Sequence, residues 1–529
     1  MKLAVLDLET DPFEHGQMVR PFLAGFYDGS RTITWWSPDC IAQSVAFLEK
    51  ETEEYCIYAH NGGRFDFFYY LSHLSADIRI INGRIVQAHI GKHEFRDSYA
   101  IMPFPLADYD KEVIDYKLLR KETREQHKDE ILKYLGKDLT SLYELVIAFH
   151  KEFGSKLTIG STSMKEIKAR HTFKCGGQEY DGKFRTKFYF GGRVQVFKPG
   201  VTEGKISVID VNSMYAFVMS SSIHPIGTAH TVSNRIERDT CFVVARGKNY
   251  GAFASRKEDG SLDFENEYGD FYTTIHEFRA AEETGSFKCS KILKTYGWAE
   301  RGCFDTWVEC YYGPRLIAKR DGDKIRALFY KYLLNSGYGK FAQNPENYFD
   351  WYITKYGEVP PDHHECTKAC VLECPKLWSM AYIHDGEYII WKRPLQAKFW
   401  YNIAIGASIT GAARAVLLKG LHATQEPLYC DTDAIICRGD SSVQIHPTDL
   451  GKWDREATGS MVAIAGKKMY ALFDENMECV KKAHKGVKLE GWQILRIAEG
   501  EKIEVKNAVP KFKLDGTHLF TKREIKSTI

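Results

Sequence analysis

The chain has 529 residues, 44% hydrophobic and 13% aromatic, with a formal charge of +2. That length exceeds what one hydrophobic core serves, so several domains are expected. Its 13 cysteines, odd in number and scattered, speak against a secreted disulfide framework and for a reducing compartment. No apolar run approaches the roughly 20 residues that cross a bilayer, and the first residues lack the pattern of a signal peptide, so a cytoplasmic location and no membrane partner are expected.

In chain order, Leu3, Val5, Asp7 and Glu9 alternate with Ala4, Leu6 and Leu8. This predicts a buried strand whose C-terminal end turns Asp7 and Glu9 to one side. Taken alone, either acid is equally a helix cap. Asn61-Gly-Gly-Arg-Phe65-Asp66 is a glycine-rich turn ending in a carboxylate. From Glu130 onward Leu132, Leu135, Leu139, Leu142 and Val146 follow helical spacing, which places Tyr134 and Asp138 on one face. Asp7, Glu9, Asp66 and Asp138 would hold two metals roughly 4 Å apart, with Tyr134 orienting a water against a phosphodiester.

Further on, Ile206, Val208 and Asp210 alternate along a strand. Asp323–Phe341 predicts a helix on which Lys324, Lys331, Asn335 and Tyr338 share a narrow stripe. Lysines ending in a tyrosine suit a triphosphate and a base; an exposed helix face is the plain alternative. Gly337 within it costs about 1 kcal/mol relative to alanine, and either loosens the helix end or admits close packing. His363, His364, Cys366, Cys370 and Cys374 raise zinc, but their spacing is not that of a common finger, so zinc is not expected. Pro427–Ile436 reads as a hairpin presenting Asp431 and Asp433 at its tip. Such an Asp-x-Asp alone is more often an ordinary turn with Asx hydrogen bonds. From Val480 to Ile529 twelve Lys/Arg face six Asp/Glu, a net of +6, leaving 2 − 6 = −4 for residues 1–479. A basic tail on a slightly acidic body suits local contact with a polyanion.

Asp-x-Glu at Asp7, Asn61…Phe65-Asp66 and Tyr134-x-x-x-Asp138 together resemble the 3′–5′ proofreading exonuclease of DNA polymerases. That resemblance implies that Asn61, Phe65 and Ser98 grip single-stranded DNA. Arg64 lengthens the turn, and Tyr99 stands where the family usually has leucine. Asp210-Val-Asn-Ser-Met-Tyr215, Lys331-x-x-x-Asn335-Ser-x-Tyr338-Gly339 and Tyr429-Cys-Asp431-Thr-Asp433 resemble motifs A, B and C of family B DNA polymerases. Tyr189-Phe-Gly191-Gly192 and Lys468-Met-Tyr470 resemble its DNA-contacting elements. The finer resemblance, carried by Leu157–Lys165 and Asn335–Pro345, is to the protein-primed branch of small phages, adenoviruses and linear plasmids.

The resemblance implies an α/β and α+β multidomain chain: an RNase H-like exonuclease (1–155) and a right-hand polymerase. The polymerase would comprise palm (156–225 and 399–480), fingers (306–345) and thumb (481–529). Two insertions are expected, one contacting a terminal protein (226–305) and one supporting strand displacement and processivity (346–398). Asp210, Asp431 and Asp433 would hold Mg2+, with Mn2+ a substitute. Lys331, helped by Lys319 or Lys324, would compensate the triphosphate, Tyr215 would pack beneath the sugar and Tyr338 against the nascent pair. The implied partners are primer-template DNA, dNTPs, single-stranded DNA and a priming protein, for a monomeric enzyme in the host cytoplasm. A nuclease whose polymerase half became a DNA clamp, and a non-catalytic scaffold, are the rivals; the intact carboxylates and Lys331 speak against both.

Overall fold

Alternation at the N-terminus produces the strand it predicts, Lys2–Thr10. Ala4, Leu6 and Leu8 enter one core and Val5 the opposite one, so both faces are covered. The strand pairs antiparallel with Pro21–Tyr27 and parallel with Tyr55–Ala59, which is itself parallel to His93–Asp97. The computed structural model describes residues 1–13, 19–109, 114–175, 180–229, 231–363, 378–395, 401–484, 486–506, 511–512, 514–515, 518–519 and 522–527. Cys366, Cys370, Cys374 and His364, named above as zinc candidates, lie outside the described residues.

The first sheet does not end with the N-terminal region. Phe349–Lys355 pairs antiparallel with Asp77–Ile81, through Trp351 opposite Ile78 and Tyr352 opposite Asp77. With Tyr388–Pro394 and Ser379–His384 it extends the sheet to ten strands. Trp351, Ile353 and Ile390 join the same core as Ala4 and Leu6. A strand distant in sequence thus covers an edge that would otherwise expose unpaired backbone groups.

A second sheet of seven strands carries the other acidic motifs. Gly200–Val211 lies at its centre between Ala434–Ser441 and Trp453–Gly466, antiparallel to both. Helix Ile403–His422 packs into the interior of this half. By length and composition it is apolar enough to cross a membrane, but 89% of its apolar window is buried inside the protein.

Helices Asp305–Arg320 and Lys324–Phe341 follow one another across a short turn. Gly337 is explained by close packing: a Cβ there would lie 2.7 Å from Trp307 Cη2 and 3.1 Å from Ser163 Oγ. The second helix also meets the end of the long helix Lys128–Phe153, where Tyr330 donates to Glu152 at 2.5 Å and Phe329 contacts Phe149.

Asp28 braces the first sheet, accepting from Lys2 Nζ, from Ser30 N and Oγ, and from Arg31 N and Nε. Burial pushes its carboxyl up, but these donors outweigh burial and hold it well below the carboxylate range. A depressed folded pKa contributes stability present above the unfolded value and lost as pH falls. Asp28→Asn is therefore expected to destabilise the protein by about 2 kcal/mol at pH 7, the deficit shrinking below roughly pH 4. Urea unfolding at the two pH values checks it; an equal deficit at both would refute the charge's role.

Candidate functional site

The seven-stranded sheet brings Asp210 and the Asp431–Asp433 tip together through backbone register. Asp210 lies opposite Ala434, the first residue after the tip, and Val211 N donates to Asp433 O at 2.9 Å. The tip is tight: Thr432 takes φ +59°, a left-handed conformation unusual for a β-branched residue. Its N–H donates to Arg193 O at 2.7 Å. Gly192 makes this approach possible, since a Cβ there would stand 2.6 Å from Thr432 Oγ1. The turn after Asp210 is held in the same left-handed way at Ser213, φ +49°.

Burial, Asp433 and Glu456 push the Asp210 carboxyl up to about 8. Burial, Asp431 and Glu456 push Asp433 up to about 6. Asp431 has a different environment: Lys468 Nζ stands 2.8 Å from both its oxygens, and Tyr429 Oη and Thr432 Oγ1 donate to it at 3.1 and 3.2 Å. Within the expected trio Asp433 thus presses on Asp210 and Asp431 on Asp433, while Asp431 itself is held by lysine. Lys468 itself takes φ +60°, its N–H donating to Tyr429 Oη at 2.9 Å. Tyr470 packs beside Tyr429, ring centroids 5.5 Å apart.

Tyr215 and Tyr338 meet face to face, centroids 3.6 Å apart and planes within 9°. Lys319 and Lys331 come from the two successive helices; burial, Arg315 and Lys331 lower the Lys319 pKa, as expected of cations gathered without enough anions. Lys324 opens its helix two turns before Lys331, about 10 Å away along the axis. Asn335 is exposed. Arg315, which the sequence reading did not single out, donates Nη1 to Ser213 Oγ at 2.7 Å and leaves Nε buried without a hydrogen-bond acceptor. Glu456 was missed too, because its strand pairs with Gly200–Val211 only after folding. Tyr189 is half-buried near Tyr338, whereas Gly191 is exposed with open space beside it.

A second acidic centre forms where Lys2–Thr10 meets helix Lys128–Phe153. Gly25, opposite Asp7, lets that helix approach: a Cβ there would lie 2.7 Å from Leu135 Cδ2. Burial and Asp7 push the Asp66 carboxyl far up, and its Oδ1 is buried without a hydrogen-bond partner. Burial, Glu9 and Asp138 likewise push the Tyr134 phenol up, so the four acids and the tyrosine share one site. The Asn61 turn is left-handed at φ +63° and pinned by Asp97, whose Oδ2 accepts from Gly63 N at 3.2 Å and from Arg84. Phe65 packs edge-on against Tyr69. Ser98 is fully buried, bonded to His60 Nδ1 and Ala59 O, so it is not itself exposed to a single strand.

Among the described residues, no group of three or more His, Cys, Asp and Glu side chains stands at metal-binding separation. The donor chemistry nevertheless fits a hard divalent cation. Half-buried Asp210 and Asp433, both raised by neighbouring carboxylates, and the orphaned Asp66 oxygen are relieved by positive charge. One or two carboxylates completed by substrate phosphate oxygens are the usual cradle of such an ion.

The family described as DNA polymerase type B, organellar and viral, matches residues 104–425. The DNA-directed DNA polymerase of Enterobacteria phage PRD1 is 42% identical, over 100% of this chain and 98% of that protein. A probable DNA polymerase of Neurospora intermedia is 25% identical over 69% of this chain and 39% of that protein. Phi29 DNA polymerase, solved with primer-template DNA and incoming nucleotide substrates, shares the fold over 100% of both chains, with a TM-score of 0.74 at 17% identity.

The raised carboxyls predict a measurable trade. Each binds its proton more tightly in the folded chain, so the pair favours folding most at low pH, and that contribution is lost as pH rises through about 6 and then about 8. In chelator, Asp210→Asn is expected to raise Tm at pH 8.5 by roughly 2 °C or more, and by less at pH 6. Thermal melts at both pH values decide it; equal effects at both would mean the pair is not mutually strained.

Proposed function

The chain belongs to the type B DNA polymerases of organelles and viruses, in the protein-primed branch, and we propose that its two acidic centres build and trim DNA strands, with initiation on a protein hydroxyl. It is a DNA-directed DNA polymerase that depends on a divalent metal and acts on DNA and nucleotides. The observation that carries the site assignment is the half-buried pair Asp210 and Asp433 beside the stacked Tyr215 and Tyr338.

Asp210 and Asp433 would hold the ions, and oxygen ligands favour magnesium, with manganese as substitute. When bound, such cations lower the pKa of the attacking hydroxyl and neutralise charge on the departing pyrophosphate. Lys331, Lys319 and Arg315 compensate the triphosphate. An arriving base pair must part Tyr215 from Tyr338, leaving Tyr215 against the sugar, where a ribose 2′-hydroxyl would collide, and Tyr338 against the base. Lys468 holds Asp431 and offsets part of the acidic charge that Asp431 and Glu456 place on Asp433. Template letters are read by base pairing, so Tyr189, Gly191, Gly192 and Tyr470 serve backbone and shape.

In the trimming centre Asp7, Glu9, Asp66 and Asp138 supply the cradle. Tyr134 orients water, while Asn61 and Phe65 hold the single strand. Ser98 acts through His60. The segments assigned from sequence carry these parts: 1–155 the exonuclease, 156–225 and 399–480 the palm, 306–345 the fingers and 481–529 the thumb. Insertions 226–305 and 346–398 serve the terminal protein and strand displacement. A monomer in the host cytoplasm completes this reading. Protein priming needs no further catalytic residue, because a side-chain hydroxyl replaces the sugar hydroxyl at the same metals.

Primer extension is expected to fall by a factor on the order of 10³ in Asp433→Ala with single-strand degradation kept, and the reverse in Asp66→Ala. Persistence of extension in the first, or degradation in the second, would refute the corresponding centre. Incubation with a candidate terminal protein, magnesium and labelled dNTP, without an oligonucleotide, should label the protein; labelling only of DNA primers would refute protein priming.

A further inference from the structure

Arg414 lies inside the buried helix Ile403–His422, and its side chain is 3% exposed. Its Nε donates to Glu277 Oε1 at 2.7 Å, and its Nη1 to the carbonyls of Phe190 at 2.5 Å and Gly191 at 2.8 Å. One guanidinium therefore joins three stretches far apart in sequence: the palm helix, the first insertion and the loop ending in Gly192.

Each connection is tight. The other oxygen of Glu277 accepts from Thr274 N at 3.2 Å and Thr274 Oγ1 at 3.0 Å, closing the cap of insertion helix Ile275–Glu283. Residue 411 must be small for that helix to come so near, since a Cβ on Gly411 would lie 2.4 Å from Thr274 Oγ1 and 2.7 Å from Glu277 Oε2. At the other end, Phe190 and Gly191 lead directly into Gly192 and Arg193, the residues that hold Thr432 at the catalytic tip. Arg414 also favours the ionised forms of Tyr189 and Tyr215, so its charge lies within electrostatic reach of both.

A buried ion pair is a weak source of stability, because desolvation offsets much of its attraction. Arg414 Nη2 is moreover buried without an acceptor, an arrangement that packing alone does not favour. What the planar fork supplies is fixed direction, which a lysine or an apolar side chain lacks.

We propose that Arg414 is a positioning residue for the incoming nucleotide, and that its pair with Glu277 makes the geometry of the nucleotide site depend on the first insertion. Anything that docks on the insertion and shifts the Thr274–Glu277 cap moves Arg414, and with it the loop that supports the catalytic tip and the tyrosines. This inference rests on the polymerase activity, not on protein priming.

Steady-state extension of a primed template by the full-length enzyme, with dNTP titrated, tests it in Arg414→Lys, Glu277→Gln and the double variant. Each single variant is expected to raise the dNTP KM on the order of tenfold while kcat stays within about threefold. Single-strand degradation, carried out by the distant first sheet, should not change. The double variant should be no worse than the poorer single, because both break the same link. An unchanged KM in Glu277→Gln, which keeps shape but loses the charge and one acceptor oxygen, would overturn the proposal. So would a parallel loss of degradation and extension in Arg414→Lys and Glu277→Gln, which would mark the pair as general scaffolding. Failure of the wild-type enzyme to extend any primer would instead overturn the polymerase reading beneath it.

Discussion

Repulsion between carboxylates in a water-poor place is the constraint around which this molecule is arranged. Asp433 raises the proton affinity of Asp210, Asp431 raises that of Asp433, and Glu456 adds to both. Such a cluster opposes folding unless a proton or a cation neutralises it, so the site is built at the expense of the empty protein's stability. Lys468 offsets part of that repulsion, engaging Asp431 and drawing the Asp433 carboxyl down. The same logic governs the first sheet, where Asp66 is buried beside Asp7 with an oxygen that no protein donor satisfies.

Close approach of backbone segments makes these clusters possible. Gly192 admits Thr432, Gly25 admits the helix bearing Tyr134 and Asp138, and Gly337 admits Trp307. Around them, Asn61, Ser213, Thr432 and Lys468 are non-glycine residues held in the left-handed region, each inside a motif. Such conformations cost of order 1 kcal/mol or more apiece and persist only where surrounding contacts over-determine them. Their coincidence with the acidic motifs shows that the backbone is strained in order to aim side chains.

The two centres are mechanically joined. Helix Lys128–Phe153 carries Tyr134 and Asp138 along its length and ends against Phe329 and Tyr330, on the helix that bears Lys331 and Tyr338. Strand Phe349–Lys355 belongs in sequence to the region after that helix, yet it completes the first sheet. The helix bearing Lys331 and Tyr338 is therefore packed against the helix bearing Tyr134 and Asp138 through aromatic rings and a hydrogen bond.

Local pattern was sufficient for a good part of this. Alternation predicts Lys2–Thr10 and the hairpin at Asp431–Asp433, and helical spacing predicts Lys128–Phe153 and Lys324–Phe341, because strand and helix periods are written in consecutive residues. Charged motifs likewise marked the acidic residues themselves, although each motif alone also reads as a turn or a helix cap. Folding decided what no window of sequence contains. Arg315 and Glu456 join the polymerase centre, and Asp97 pins the Asn61 turn, through register between distant strands and helices. Asp431 became a lysine's partner and Ser98 a buried one for the same reason: an isolated side chain has a chemistry, but its neighbours, and hence its charge and its reach, exist only once remote segments pack.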